Sequence, residues 1–146
     1  MRDSYPIGVK LTLGLEGNGN YTNDPRDPGK ETRYGISKRY NPDVDVKNLT
    51  LEQAKEIYLK RYWIPAGCDT APYPMDICLF DSQVNPQNDP KWNHGGNKEI
   101  MNLNPESWQD YNLLRMIRYM RNSKRVYVLG HIQRVLKLSE TLRRME

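Results

Sequence analysis

The sequence has little of the residue types that build metal centres and disulfide frameworks. Its 146 residues include only two cysteines and two histidines, which are too few and too scattered for a zinc site. We therefore expect neither a metal nor a cofactor. Cys68 and Cys78 could pair if the chain turned back near Pro72 and Pro74, but two reduced, half-buried thiols are the simpler interpretation.

Long hydrophobic runs are also lacking. The mean hydropathy is −0.87, and no apolar stretch reaches the roughly 20 residues of a membrane-spanning helix, so we expect no membrane insertion. The N-terminus makes a poor signal peptide, because Asp3 and Glu16 flank a short stretch that Lys10 interrupts and no small-residue cleavage site follows. Phosphate-binding Gly-Lys-Ser/Thr loops and Gly-x-Ser-x-Gly nucleophile elbows are missing as well. The length suits one domain spanning residues 1–146.

Positive charge is concentrated at the C-terminus. Residues 115–146 contain nine Lys or Arg and two Asp or Glu, a net +7, although the whole chain carries only +4. The remaining residues are therefore net negative. A basic C-terminal face suits a polyanionic partner, such as nucleic acid or an anionic cell-wall polymer, and is equally compatible with an ordinary solvated helix face.

Helical signals dominate the chain and predict a mainly α fold. We expect a first helix over residues 5–16, a second starting at a Thr50–Gln53 capping box, and a buried third over residues 75–84. A fourth should start at Asn104-Pro105. The residues of this helix that we expect to be buried are Leu113, Met116, Ile117 and Met120. A last helix should bury Val128, Ile132, Val135 and Leu136. Residues 86–104 read as a long polar loop, and residues 18–37 as irregular loop with at most a small hairpin.

The most informative segment is residues 16–37, EGNGNYTNDPRDPGKETRYGIS. An apolar run ends in Glu16, whose carboxyl group would lie against low-dielectric packing that raises its pKa, as a general acid at neutral pH requires. A turn-rich stretch follows with Asp24, Asp27 and Thr32. One acid on a helix and a second on a facing loop is the arrangement that glycoside hydrolysis uses.

The same segment resembles a known family. The order of Glu16, Tyr21, Asp27, Thr32 and Gly35 is similar to the active-site segment of phage-type lysozymes. It resembles more closely the N-acetylmuramidases of glycoside hydrolase family 108, whose signature reads E-G-G-Y-x-N-D-P-x-D-x-G-G-x-T-x-x-G-I-[ST]. Later matches, in order, are Tyr62-Trp63, Phe80-Asp81, Val84-Asn85, and Gly130 with Arg134 and Val135.

This chain also departs from the family pattern. Two residues, Asn18 and Gly19 or a nearby pair, are inserted between Glu16 and Tyr21. Lys30 replaces the second glycine of the Gly-Gly pair, and His131 replaces the usual tryptophan. The insertion changes the spacing between Glu16 and the loop carboxylates, which leaves the choice of second carboxylate open.

The resemblance implies a lysozyme-like helical domain with a small loop or β-hairpin wall beside the active site. It also implies hydrolysis of the bond between N-acetylmuramic acid and N-acetylglucosamine in peptidoglycan. Glu16 would then be the general acid, Asp27 the second carboxylate, and Thr32 the holder of the attacking water. Whether the reaction retains or inverts configuration depends on the carboxylate separation, which the sequence does not fix.

Four further residues are candidates for substrate binding: Tyr21, Asp24, Tyr34 and Asn85. Each has a structural alternative. The two tyrosines could pack in the core, Asp24 is well suited to a turn before Pro25, and Asn85 could simply cap a helix.

The resemblance implies bacterial peptidoglycan as partner, no nucleic acid, a monomer, and a phage or prophage origin. The protein would stay in the host cytoplasm until released to the periplasm or wall, or would travel with the virion. Two alternatives are a non-catalytic wall-binding or virion-assembly module on the same fold and, more distantly, a small nucleic-acid-binding helical protein with a basic C-terminus.

Overall fold

The computed structural model describes residues 2–16, 19–85, 95–122 and 125–146. The helices are α1 (Tyr5–Glu16), α2 (Leu51–Tyr58), α3 (Met75–Val84), α4 (Gly95–Met101), α5 (Trp108–Asn122) and α6 (Arg125–Met145). A short 3₁₀ turn (Arg2–Ser4) precedes α1, a π-helical turn (Leu59–Trp63) continues α2, and a 3₁₀ turn (Cys68–Thr70) precedes α3. Three short strands, β1 (Thr22–Asn23), β2 (Glu31–Arg33) and β3 (Ile36–Ser37), lie between α1 and α2. The predicted mainly α, lysozyme-like class is confirmed.

An aromatic cluster fixes α1 against α3. The Trp63 ring lies edge-on to Tyr5 and Phe80, with centroid distances of 5.2 and 5.4 Å. Gly8 allows this close approach, because a Cβ there would lie 3.2 Å from Trp63 and 3.3 Å from Phe80. The cluster thereby sets the direction in which α1 runs toward its last residue, Glu16.

Local sequence signals explain three of the helices. α1 and α3 have the predicted bounds. The capping box at the start of α2 is present, with the Gln53 N–H donating to Thr50 Oγ1 at 3.2 Å and the Thr50 N–H donating to Gln53 Oε1 at 2.9 Å. Cys68 and Cys78 are free, as predicted, but both are fully buried and not half-buried. Burial raises the pKa of each thiol to about 12.

The C-terminal half differs from the sequence prediction in two places. α5 begins at Trp108, not at Asn104-Pro105. Asn104 has a left-handed backbone (φ 53°), and the first turn is capped by Ser107 Oγ, which accepts the Asp110 N–H at 3.1 Å. Within the predicted loop 86–104, residues Gly95–Met101 form α4, and residues 86–94, including His94, lie outside the described part of the chain.

The buried face of α5 was also predicted wrongly. Leu113 and Met120 are 52% and 64% exposed. The face that packs inward instead carries Trp108, Tyr111, Arg115 and Tyr119, and the buried residues of α6 include Val135, Leu138 and Leu142. Leu136, expected to be buried, is 52% exposed.

A buried ion cluster joins three helices. Asp81 of α3 accepts hydrogen bonds from Arg115 Nη1 of α5 at 2.7 Å and from Arg134 Nη2 of α6 at 2.8 Å. Burial alone would raise the pKa of Asp81, but the two guanidinium groups outweigh it and hold the pKa below its usual range. Two of the nine C-terminal cations are therefore structural, and the surface is less basic than the sequence count suggests.

The described helices include none that is both long and apolar enough to cross a membrane.

Candidate active site

The three strands form a small antiparallel sheet directly after α1. Thr32 of β2 pairs with Thr22 of β1 on one side and with Ser37 of β3 on the other. Directly paired residues point to the same face of a sheet. The sheet therefore presents a row of three hydroxyl side chains across its width, where the sequence had suggested a single hairpin.

The turn between β2 and β3 is held in a demanding conformation. Tyr34 and Gly35 both have positive φ angles, 51° and 73°, as a two-residue type I′ hairpin requires. A tyrosine in this region is uncommon. It is held there because the Tyr58 hydroxyl donates to the Tyr34 carbonyl at 2.6 Å and the Tyr34 ring contacts Gly19, where a Cβ would lie only 2.3 Å from it. Tyr34 packs against the hydrophobic core, so at least part of its ring has a structural role.

Asp27 and Thr32 are brought together around Gly29. Asp27 Oδ1 accepts the Gly29 N–H at 2.8 Å. A Cβ built on Gly29 would lie 3.2 Å from that oxygen, 3.6 Å from Thr32 Oγ1 and 3.5 Å from Ser37 Cβ. The Asp27 carboxylate, the Thr32 hydroxyl and Ser37 therefore all lie close to Gly29, and a side chain at residue 29 would crowd them. Within the described part of the chain the Asp27 carboxylate forms no ion pair.

Asp24 has a different environment. It accepts the Arg26 N–H at 2.9 Å and binds the Arg26 guanidinium through both carboxylate oxygens, at 3.0 and 2.9 Å. The hydrogen bonds from Arg26 lower the pKa of Asp24. This is the Asx-turn use of aspartate, and it favours the structural alternative for Asp24 over a role at the substrate.

The remaining predicted residues are spread around these elements. Glu16 is the last residue of α1, but its side chain, with Gly17 and Asn18, lies outside the described part of the structure. Tyr21 is exposed just before β1, and its hydroxyl donates to Glu31 Oε1 at 2.7 Å. Asn85 follows α3 as its C-cap, and its carbonyl accepts the Tyr119 hydroxyl at 3.0 Å. The assignment of these residues to a site stays a prediction.

Sequence reasoning missed Ser37 and Arg26. Ser37 closes the family signature as its final Ser/Thr, and the Tyr34-Gly35 turn signal, once taken as a two-residue hairpin, would have placed Ser37 opposite Thr32. Arg26 lies two residues after Asp24, a spacing at which a guanidinium can neutralise the carboxylate. The described residues contain no group of three or more His, Cys, Asp or Glu able to hold a metal ion.

A helical domain with a small antiparallel sheet between its first and second helices is a lysozyme-like fold. Residues 9–86, more than half of the chain, match the family model described as Glycosyl hydrolase 108. The chain belongs to this family. No curated protein matches it. Among solved structures, Brucella abortus SagA is similar over 97% of both chains, with a TM-score of 0.68 and 15% identity, which supports the fold.

Proposed function

We propose that this protein is an N-acetylmuramidase that cleaves the bond between N-acetylmuramic acid and N-acetylglucosamine in bacterial peptidoglycan. One observation carries the proposal. In a member of the glycosyl hydrolase 108 family, the side-chain oxygens of Asp27 and Thr32 both lie close to Gly29, in the strand-and-turn segment that follows the helix ending in Glu16.

The proposed chemistry needs only these side chains. Glu16 donates its proton to the glycosidic oxygen as the bond breaks. Asp27 is held by the backbone N–H of Gly29 and by no cation of the described residues, so its negative charge is available to stabilise the oxocarbenium-like transition state or to activate a water. Thr32, whose hydroxyl also lies beside Gly29, orients that water. Exposed faces of Tyr21 and Tyr34 and the amide of Asn85 contact the sugar chain.

Product analysis on purified peptidoglycan tests the reaction. A muramidase releases fragments whose reducing end is N-acetylmuramic acid, which mass spectrometry after borohydride reduction distinguishes from a reducing N-acetylglucosamine. Loss of turbidity of outer-membrane-stripped cells provides the rate. Binding to peptidoglycan without any release of fragments would instead favour the non-catalytic wall-binding module. Fragments ending in N-acetylglucosamine would keep the hydrolase and overturn the bond specificity.

We further propose a phage or prophage origin, with the protein held in the host cytoplasm before it reaches the wall or carried in the virion. Immunoblotting of purified virions and of fractionated infected cells would separate these two locations.

A further inference from the structure

The outer surface of the α5–α6 helix pair is apolar and exposed. Leu113 and Met120 on α5 are 52% and 64% exposed, and Leu129 and Leu136 on α6 are 66% and 52% exposed. Single exposed apolar residues are ordinary, but a contiguous patch calls for a partner. We refer to the following set as the seam surface: Leu113, Met116, Ile117, Met120, Leu129, Ile132 and Leu136.

The two helices are antiparallel, and three contacts fix their register. Trp108 Nε1 donates to Glu146 Oε1 at 2.9 Å, and Asn112 Nδ2 donates to Ser139 Oγ at 3.0 Å. The Tyr119 ring lies 4.7 Å from the His131 ring. In the direction in which residue numbers rise along α6, they therefore fall along α5. This register places Met120 level with the Leu129 turn and Leu113 level with the Leu136 turn.

Helical spacing brings the seam surface to one side of the pair. On α5, Asn112 contacts α6, and Met116 and Met120 follow it at intervals of four residues. Side chains at this spacing form one stripe along the helix, which turns gradually from the side facing α6 toward solvent. On α6, Ile132 precedes Ser139 by seven residues and shares its α5-facing side. The exposed residues of both helices therefore emerge along the outer edge of the same helix–helix contact and form one patch.

The charge around this patch favours one kind of partner. Arg121, Lys137 and Arg143 are exposed, and none forms an ion pair within the described part of the chain. Arg143 lies one heptad after Leu136, on the same face of α6. A second copy of the chain would set these basic surfaces against each other. An anionic wall polymer would satisfy the charges but offers no hydrocarbon for Leu129 and Leu136.

We propose that the seam surface binds peripherally to a bilayer rich in anionic phospholipid. Apolar side chains enter the boundary between headgroups and acyl chains, while the cations attract the negative surface. This inference rests on the helix pair and not on the proposed reaction. Vesicles of phosphatidylglycerol and phosphatidylcholine, compared with vesicles of phosphatidylcholine alone, provide the probe in a sedimentation assay with the full chain. We expect binding to the anionic vesicles only, and binding that falls as salt rises.

Two variants and a matched control sharpen the test. The double substitution Leu129→Ser with Leu136→Ser should weaken vesicle binding by about tenfold or more, because two exposed leucines lose their burial in lipid. Leu103→Ser is the control, since Leu103 is 64% exposed but lies between α4 and α5, and it should bind as wild type does. Lys137→Glu with Arg143→Glu should also weaken binding to anionic vesicles. Circular dichroism confirms that each variant is folded.

Other results would overturn the proposal. If the charge variant loses binding while the leucine variant keeps it, the surface recognises a polyanion such as wall polymer or nucleic acid. If light scattering shows a dimer that the leucine variant dissociates, the seam surface is an interface between copies. Equal sedimentation of all variants would place the lipid contact elsewhere.

Discussion

The carboxylate of Asp27 and the hydroxyl of Thr32 both lie beside Gly29, where the lack of a side chain lets them approach. Asp27 Oδ1 lies 3.2 Å and Thr32 Oγ1 3.6 Å from the position of the missing Cβ. The two oxygens come from different segments, one from a turn and one from a strand. Their proximity therefore depends on the fold of the sheet and gives a direct means of testing the proposed chemistry.

A side chain at residue 29 should disturb the chemistry more than the fold. A Cβ in Gly29→Ala would press on Asp27 Oδ1 and displace it by a few tenths of an ångström. We expect kcat to fall by about tenfold or more, because small displacements of reacting groups are costly, with a stability change within about 1 kcal/mol. Muramidase assays and thermal melts provide the measurements. Gly130→Ala is the control: apart from its chain neighbours and its own helix backbone, no atom lies within 4 Å of its Cβ position, so activity should be unchanged. Wild-type kcat in Gly29→Ala would argue against Asp27 and Thr32 acting together beside Gly29.

The two aspartates should differ in their effect on activity. Asp27→Asn removes the charge that no cation of the described residues neutralises, whereas Asp24→Asn removes a charge already paired with Arg26. We expect the first to lower kcat by roughly 10²-fold and the second to leave most activity. Initial rates on purified peptidoglycan at saturating substrate distinguish them. An inactive Asp24→Asn beside an active Asp27→Asn would keep the reaction but reverse the choice of second carboxylate.

Glu16→Gln tests the general acid directly. The amide keeps the size of the side chain but cannot donate the proton, so we expect activity to fall by roughly 10²-fold or more. Thermal stability should stay the same or rise, because functional acids are often neutral or costly for stability. The same peptidoglycan assay and a thermal melt check both statements. Full activity in this variant would remove the proposed mechanism.

The buried cluster predicts a pH-dependent loss of stability. Asp81→Asn leaves Arg115 and Arg134 without their shared carboxylate and should cost about 3–5 kcal/mol. Because the folded-state pKa of Asp81 is lowered, its contribution is full above the unfolded pKa of about 3.9 and is lost as pH falls through the folded value. The gap between the melting temperatures of wild type and variant should therefore narrow below about pH 4. Asp43→Asn breaks the exposed ion pair with Arg61, and its melting temperature should stay close to that of the wild type.

The parts of the fold that the sequence predicted well have local causes. α1 and α3 are apolar runs, and α2 begins with side chains that cap their own backbone, so a few adjacent residues determine each boundary. The start of α5 could not be found this way, because Pro105 gave a false helix signal and the actual cap is Ser107. α4 was missed because it begins in a polar, glycine-containing stretch. Asn97 of that helix is buried and accepts the Tyr111 hydroxyl at 2.5 Å, a contact that appears only after folding.

The orientation of α5 shows a second limit. Periodicity assigned Leu113 and Met120 to the core, but Arg115 occupies the core because Asp81 of α3 neutralises it. No pattern within α5 reveals a partner 34 residues earlier in the chain. For the candidate site, the order of residues indicated the family and proposed the site residues, whose assignment stays a prediction. The different environments of Asp24 and Asp27 could be seen only from the hydrogen bonds that each accepts.

The ion cluster also bears on where this protein can be divided. The family match ends at residue 86, and Glu16, Asp27, Thr32 and Asn85 all precede that point. Asp81 precedes it too, yet both guanidinium groups that neutralise it come from α5 and α6. A fragment cut at residue 86 would keep every proposed active-site residue but lose both guanidinium groups and the core residues of α5 and α6 that cover α3. The smallest unit that can be transplanted into a chimeric glycoside hydrolase must therefore extend at least through Arg134.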